Sequence, residues 1–129
     1  MAISLARPRS TLVAACGAHL TQDGLVALQY VLLPIVAQVF SLSYAQVGLL
    51  RAMSNTAMSV LELPAGLLAE RMGERKLLAA GLVGAAVGYL CVAYSNSFYG
   101  VVAGFFIAGS GAAFQHSLTP SGLVRRFEG

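Results

Sequence analysis

The sequence predicts an all-α membrane protein with four crossing helices. Three observations carry this: the balance of apolar and charged residues, four apolar runs of crossing length, and a one-sided placement of basic residues. Of the 129 residues, 57% are hydrophobic and 10% are charged. A soluble domain carries about 25% charged residues to cover its surface. The chain is also too apolar to stay disordered. Each apolar run reaches 18 residues or more, close to the ~20 that a crossing helix needs. In hydrocarbon every backbone polar group must be bonded internally, so the runs are expected to be helices. A membrane β-barrel would instead show strands of about 10 residues with alternating polarity, a pattern not seen in this sequence.

The helices are expected at 10–40, 44–69, 77–94 and 98–124, joined by short connections into one transmembrane unit over 1–129. The first run is long: it rises roughly 46 Å against a hydrocarbon core of about 30 Å. It therefore protrudes, tilts or kinks, with Pro34 as the expected kink point. Pro64 is expected to bend the second helix near its end. The third run has no ionisable group apart from Tyr89 and Tyr94. In it Gly84 and Gly88 form a G-x-x-x-G pair, with Gly81 one turn earlier. In the fourth, Gly100 and Gly104 form a second pair, followed by Gly109 and Gly111. Small residues let helix backbones approach closely in lipid.

Arg7 and Arg9 precede the first helix. Arg71, Arg75 and Lys76 lie between the second and third, and Arg125 and Arg126 follow the fourth. The connections around Leu42 and Ser95–Ser97 carry no Lys or Arg. By the positive-inside rule this is a multi-pass protein of the cell membrane with both termini cytoplasmic. The same one-sided distribution rejects nucleic acid as the reason for the net charge of +3. Phe40, Tyr44, Tyr94, Phe98 and Tyr99 fall at the outer helix ends, where an interfacial aromatic belt belongs. Cys16 and Cys91 have no metal-ligand or C-x-x-C spacing, and read as buried small apolar residues. A lipoprotein signal ending at Cys16 is disfavoured, because its apolar stretch from Thr11 to Ala15 is shorter than the roughly 7–15 residues required. No metal or cofactor is expected.

Ionisable groups inside a membrane cost a few kcal/mol each and are functional candidates by default. His19 and Asp23 stand in the first helix, Arg51 and Glu62 in the second, and His116 in the fourth; Gln22, Asn55 and Gln115 add uncharged polarity. His19 and Asp23 are four apart, on one helical face. Helix rise puts His19, Glu62 and His116 at one level, a few ångström to the basic side of the midplane. Arg51 lies in the outer half, with Asp23 in possible reach of its side chain. One reading is structural: the groups pair to hold helices together, and Arg51 snorkels to the interface. The other is a proton site wetted from each side in turn, with the carboxylate exchanging a proton and the imidazole relaying it.

The connection after the second helix reads Gly66-Leu67-Leu68-Ala69-Glu70-Arg71-Met72-Gly73-Glu74-Arg75-Lys76. It resembles the signature loop of the major facilitator superfamily, G-x-L-a-D-R-x-G-r-R-k. Gly66, Leu68, Ala69, Arg71, Gly73, Arg75 and Lys76 match, while Glu70 replaces the usual Asp and Glu74 a usual base. Within the family, His19-Leu20-Thr21-Gln22-Asp23-Gly24 resembles the first-helix H-x-x-x-D-G pattern of fosmidomycin-resistance-type transporters. Leu42 to Leu49 and Gly109 to His116 resemble two further segments of that branch, with Ser117 where a proline is usual. The R-x-x-q-G pattern of drug–proton antiporters is absent, Phe105 standing at its arginine.

The resemblance implies part of the N-terminal half of a twelve-helix fold: one three-helix repeat plus one helix. It implies a non-enzymatic secondary transporter that exports a small organic compound or drug, coupled to protons, with a role in antibiotic resistance. Asp23 and His19 would be the coupling or substrate pair, faced by His116 and Gln115 from helix four, since that fold lines its cavity with helices one and four among others. Glu70, Arg71 and Arg75 would form a cytoplasmic gate with the opposite half; Gly66, Gly73 and Lys76 complete its motif. The roles of Arg51 and Glu62 stay open. The expected partners are the bilayer, the substrate, protons and the remaining helices of a longer transporter, without which the four helices are not expected to transport. Two rivals remain: a small four-helix transporter acting as a dimer, and a non-transporting membrane subunit or scaffold.

Overall fold

A computed structural model describes residues 6–127, with side chains placed for residues 9, 10 and 12–116. It consists of four helices: α1 (Ala6–Val39), α2 (Tyr44–Met72), α3 (Glu74–Tyr94) and α4 (Phe98–Phe127). Among the described residues there is no strand. α1, α3 and α4 contain segments long and apolar enough to cross a membrane. α2 is longer than α3 but less apolar, because Arg51, Ser54, Asn55, Thr56, Ser59 and Glu62 interrupt it. The protein is thus a multi-pass membrane protein, one of whose helices is markedly polar. The side chains of Arg7, Arg125 and Arg126 lie outside the described residues.

The ends of the helices are set by local chemistry. α1 closes in a Schellman turn. Leu42 N–H reaches back to Ala37 O at 2.9 Å and Ser41 N–H to Gln38 O at 3.3 Å, with Ser41 in the left-handed region at φ 50°. α2 then opens on a capping box. Ser43 Oγ accepts from the Gln46 N–H at 3.3 Å, and Gln46 Oε1 accepts from the Ser43 N–H at 2.9 Å. Pro34 and Pro64 lie inside α1 and α2, which both run on past them.

The expected loop at the α2–α3 connection shrinks to one residue. Gly73 adopts φ +87°, and its N–H closes α2 onto Ala69 O at 2.9 Å. Glu70 and Arg71 are therefore in the last turn of α2, and Glu74, Arg75 and Lys76 in the first turn of α3. Arg71 at the end of α2 and Glu74 at the start of α3 suit the two helix dipoles, while Glu70, Arg75 and Lys76 oppose them.

α4 is the central element, packed most extensively against α3 and α2, with α1 leaning on it more lightly. The α3–α4 contact is built on glycine. A Cβ on Gly88 would lie 2.7 Å from Gly104 O, and one on Gly104 would lie 2.8 Å from Gly88 O. Gly81 and Gly111 meet in the same way one heptad further along, at 2.7 Å and 2.5 Å. The close pairs are therefore 88 with 104 and 81 with 111. Gly84 has room for a methyl group, its nearest neighbour being Gly111 Cα at 3.7 Å, and Gly100 meets the side chains of Ser95 and Ser97 instead of another helix. On the α2 side, Gly109 packs directly on the backbone of Ser54.

The main apolar core joins Leu33, Val36, Leu50, Tyr89, Val92, Val101, Phe105 and Ala108. It lies toward the 40–43 and 95–97 connections. Near the basic end a smaller cluster of Ala69 and Leu77 is covered by Leu78 and Phe114. Among the described residues, the first half of α1 makes no part of either core, and Leu12, Val13 and Leu20 are exposed. Cys16 and Cys91 are exposed as well, contrary to expectation. In a bilayer a thiol is apolar enough to face acyl chains, so exposure carries no penalty there. Tyr44, Tyr94 and Tyr99 project from the helix ends as interfacial rings do.

Candidate functional site

Two polar features stand partway along the helices, one on the outside of α1 and one between the helices. One is a stripe on the flank of α1. His19 and Asp23 sit one turn apart, with Nε2 3.5 Å from Oδ2. Both are open to the surroundings, at 57% and 61% side-chain exposure. Among the described residues, neither forms an ion pair with another helix.

The same flank carries Tyr30 two turns further on. Its ring lies under the Arg51 guanidinium at 4.8 Å, and its hydroxyl accepts from Arg51 Nη2 at 2.9 Å. Arg51 therefore pairs with Tyr30 and not with Asp23, as its reach had suggested. Seven residues of helix, about 10 Å, separate the two positions along α1. This bridge ties α1 to α2, whose backbones barely meet.

The second feature is a partly open cavity of about 70 Å³ between the helices, lined by Gln22, Gln29, Ser54, Asn55, Tyr89 and His116 among others. Gln22 and Gln29 are seven apart and so share the face of α1 that is turned to the bundle. Both are buried, at 2% and 7% exposure. Among the described residues, Gln22 Oε1 and Gln29 Nε2 have no hydrogen-bond partner. Gln29, Ser54 and Tyr89 were not among the residues singled out in the sequence, although the heptad spacing of the two glutamines was a readable signal.

The remaining candidates divide. His116 lines the same cavity as Gln22 and Gln29, and His19 and Asp23 do not line it. Gln115 is turned away from α1: its Nε2 donates to Leu78 O of α3 at 3.1 Å. One residue on a helix is a rotation of about 100°, so neighbours in sequence look at different partners. Glu62 is half-buried in α2 and, among the described residues, has no ion-pair partner. His19 lies about 30 Å, Glu62 and His116 about 27 Å, and Asp23 about 24 Å along their helices from the end with the 40–43 and 95–97 connections. They share a level without forming one cluster.

In the sequence motif at the basic end, Glu70, Arg71, Arg75 and Lys76 are all exposed. Among the described residues they make no ion pair with one another. Gly66 has open space around it. These charges are presented outward, free for contacts with another body.

Comparison with known proteins agrees with this architecture. The profile described as Major Facilitator Superfamily matches residues 15–129. The chain is 34% identical over 70 residues to the inner membrane transport protein YajR of Escherichia coli (strain K12), covering 54% of the chain and 15% of that protein. It is 28% identical over 98 residues to the uncharacterized MFS-type transporter YfnC of Bacillus subtilis (strain 168), covering 76% of the chain and 24% of that protein. The chain thus spans a quarter or less of these relatives. No solved structure matches it significantly. The chain belongs to the Major Facilitator Superfamily.

Proposed function

We propose that the chain supplies the first four helices of a proton-coupled exporter of a small organic compound or drug, of the fosmidomycin-resistance type. The observation that carries this is the His19–Asp23 pair. It is more than half exposed on the flank of a helix that is otherwise apolar enough to cross a membrane. Facing acyl chains, such a pair costs several kcal/mol. Facing water or the remaining helices of a larger transporter, it costs little, and the flank becomes one wall of a translocation path. There Asp23 takes and releases the transported proton, and His19 passes it toward the basic side.

The positive-inside rule supports a location in the cell membrane with the basic ends of the helices in the cytoplasm. In that orientation Glu70, Arg71, Arg75 and Lys76 stand at the cytoplasmic mouth, where a second helical half would meet them as a gate. The exposure of these four side chains supports this. Asp23→Asn, introduced in the protein expressed from its native gene, is expected to abolish proton-linked export at an unchanged protein level. Export that continues at the original rate removes Asp23 from the mechanism.

A further inference from the structure

The cavity between α1, α2, α3 and α4 has no part in the reading above. Two buried amide atoms line it with opposite needs: Gln22 Oε1 accepts and Gln29 Nε2 donates. Leaving either group unmade costs about 1–3 kcal/mol. Both amides could have been Leu or Met without disturbing an apolar helix face. At about 70 Å³ the space is far below the roughly 300–1,000 Å³ of a small-molecule site, yet it exceeds the ~10–15 Å³ that one water requires. Water fits this space and can donate to Gln22 and accept from Gln29 at once. The hydroxyls of Ser54 and Tyr89 and the amide of Asn55 offer the further partners that a buried water needs.

We propose that this cavity is a built water site. A small cluster of ordered water bridges Gln22 and Gln29 of α1 to Ser54 and Asn55 of α2 and to Tyr89 of α3, with His116 of α4 at its edge. α1 is then held to the bundle here through water and not by interlocked side chains, which accords with its light packing on α4. This holds whatever the transporter carries, and does not depend on Asp23.

The test uses the chain in lipid nanodiscs and water itself as the probe. Brief X-ray exposure makes hydroxyl radicals from bound water, and mass spectrometry reads the side chains they modify. Met58 and Tyr89, which line the cavity, are expected to be modified. Ala112→Leu fills the space and is expected to abolish modification of both while leaving exposed Tyr44 as before. Modification of Met58 and Tyr89 that is absent, or that survives Ala112→Leu, overturns the proposal. Gln22→Met gives a readout that does not need the cavity to be filled. In a wet cavity it strips a water of its acceptor and lowers the unfolding midpoint. In a dry one it removes an orphaned polar atom and raises the midpoint, which also overturns the proposal.

Discussion

Replacing Gly88 by Ala is expected to loosen the α3–α4 contact, and replacing Gly84 is not. The new Cβ at 88 would meet three backbone atoms: Ala108 N, Gly104 O at 2.7 Å and Ala108 Cα at 2.8 Å. None of these can rotate aside, so the helices must separate by about 1 Å to restore an ordinary contact. A gap of that size forfeits a quarter to a half of each dispersion well along the seam, and overpacking of this kind costs about 1–3 kcal/mol. Ala gains up to about 1 kcal/mol over Gly in helix propensity, leaving a net loss of up to about 2 kcal/mol. At 84 the same methyl group sits 3.7 Å from Gly111 Cα, so only the gain remains. Thermal unfolding in detergent, followed by circular dichroism, measures both. A drop for Gly88→Ala with no drop for Gly84→Ala is expected; equal effects at the two sites would refute the assignment of the seam to residues 81, 88, 104 and 111.

Tyr30→Phe keeps the ring under Arg51 and deletes the hydroxyl that accepts from it. It should weaken the bridge by about 1 kcal/mol and Tyr30→Ala by more, both read as unfolding midpoints against an Arg51→Ala background in which the difference disappears. Gly73→Ala forces an L side chain to φ +87°, which costs on the order of 1–3 kcal/mol. It should destabilise the α2–α3 turn even though a Cβ there touches nothing.

The number, order and approximate extent of the helices were legible because each rests on a run of apolar residues bounded by a local stop signal. Ser43 with Gln46, and Gly73, are such signals, and their effect is confined to a few residues. The α2–α3 connection was placed too wide because charged residues were read as loop. Arg71 and Glu74 are at helix ends that their charges favour, but Glu70, Arg75 and Lys76 are not, so the helices continue up to Gly73 for reasons beyond these charges. The small-residue pairs were legible in kind but not in register. Spacing within one helix finds Gly84 with Gly88, whereas the contact is decided by what faces each residue across the seam. The same limit governed the site. His19 and Asp23 are joined by local spacing and were found together. The partners of Arg51 and Gln115 depend on the rotation of one helix against another, which no local pattern encodes. Gln29 was passed over because a single uncharged amide in a long apolar run gives a weak signal until its face is known.

The central claim is that the flank of α1 bearing His19 and Asp23 faces water while the far side of the same helix faces lipid. Substituted-cysteine labelling tests it most directly, with Cys16 and Cys91 first replaced by Ser to remove the native thiols. The protein carrying Asp23→Cys or His19→Cys is treated in membranes with a charged thiol reagent, alongside Leu28→Cys and Ile35→Cys from the opposite side of α1. Rapid labelling at 19 and 23 with none at 28 and 35 is the expected result. Labelling at 19 and 23 as slow as at 28 and 35 would mean that the pair is buried in hydrocarbon or in dry protein, and would contradict the account.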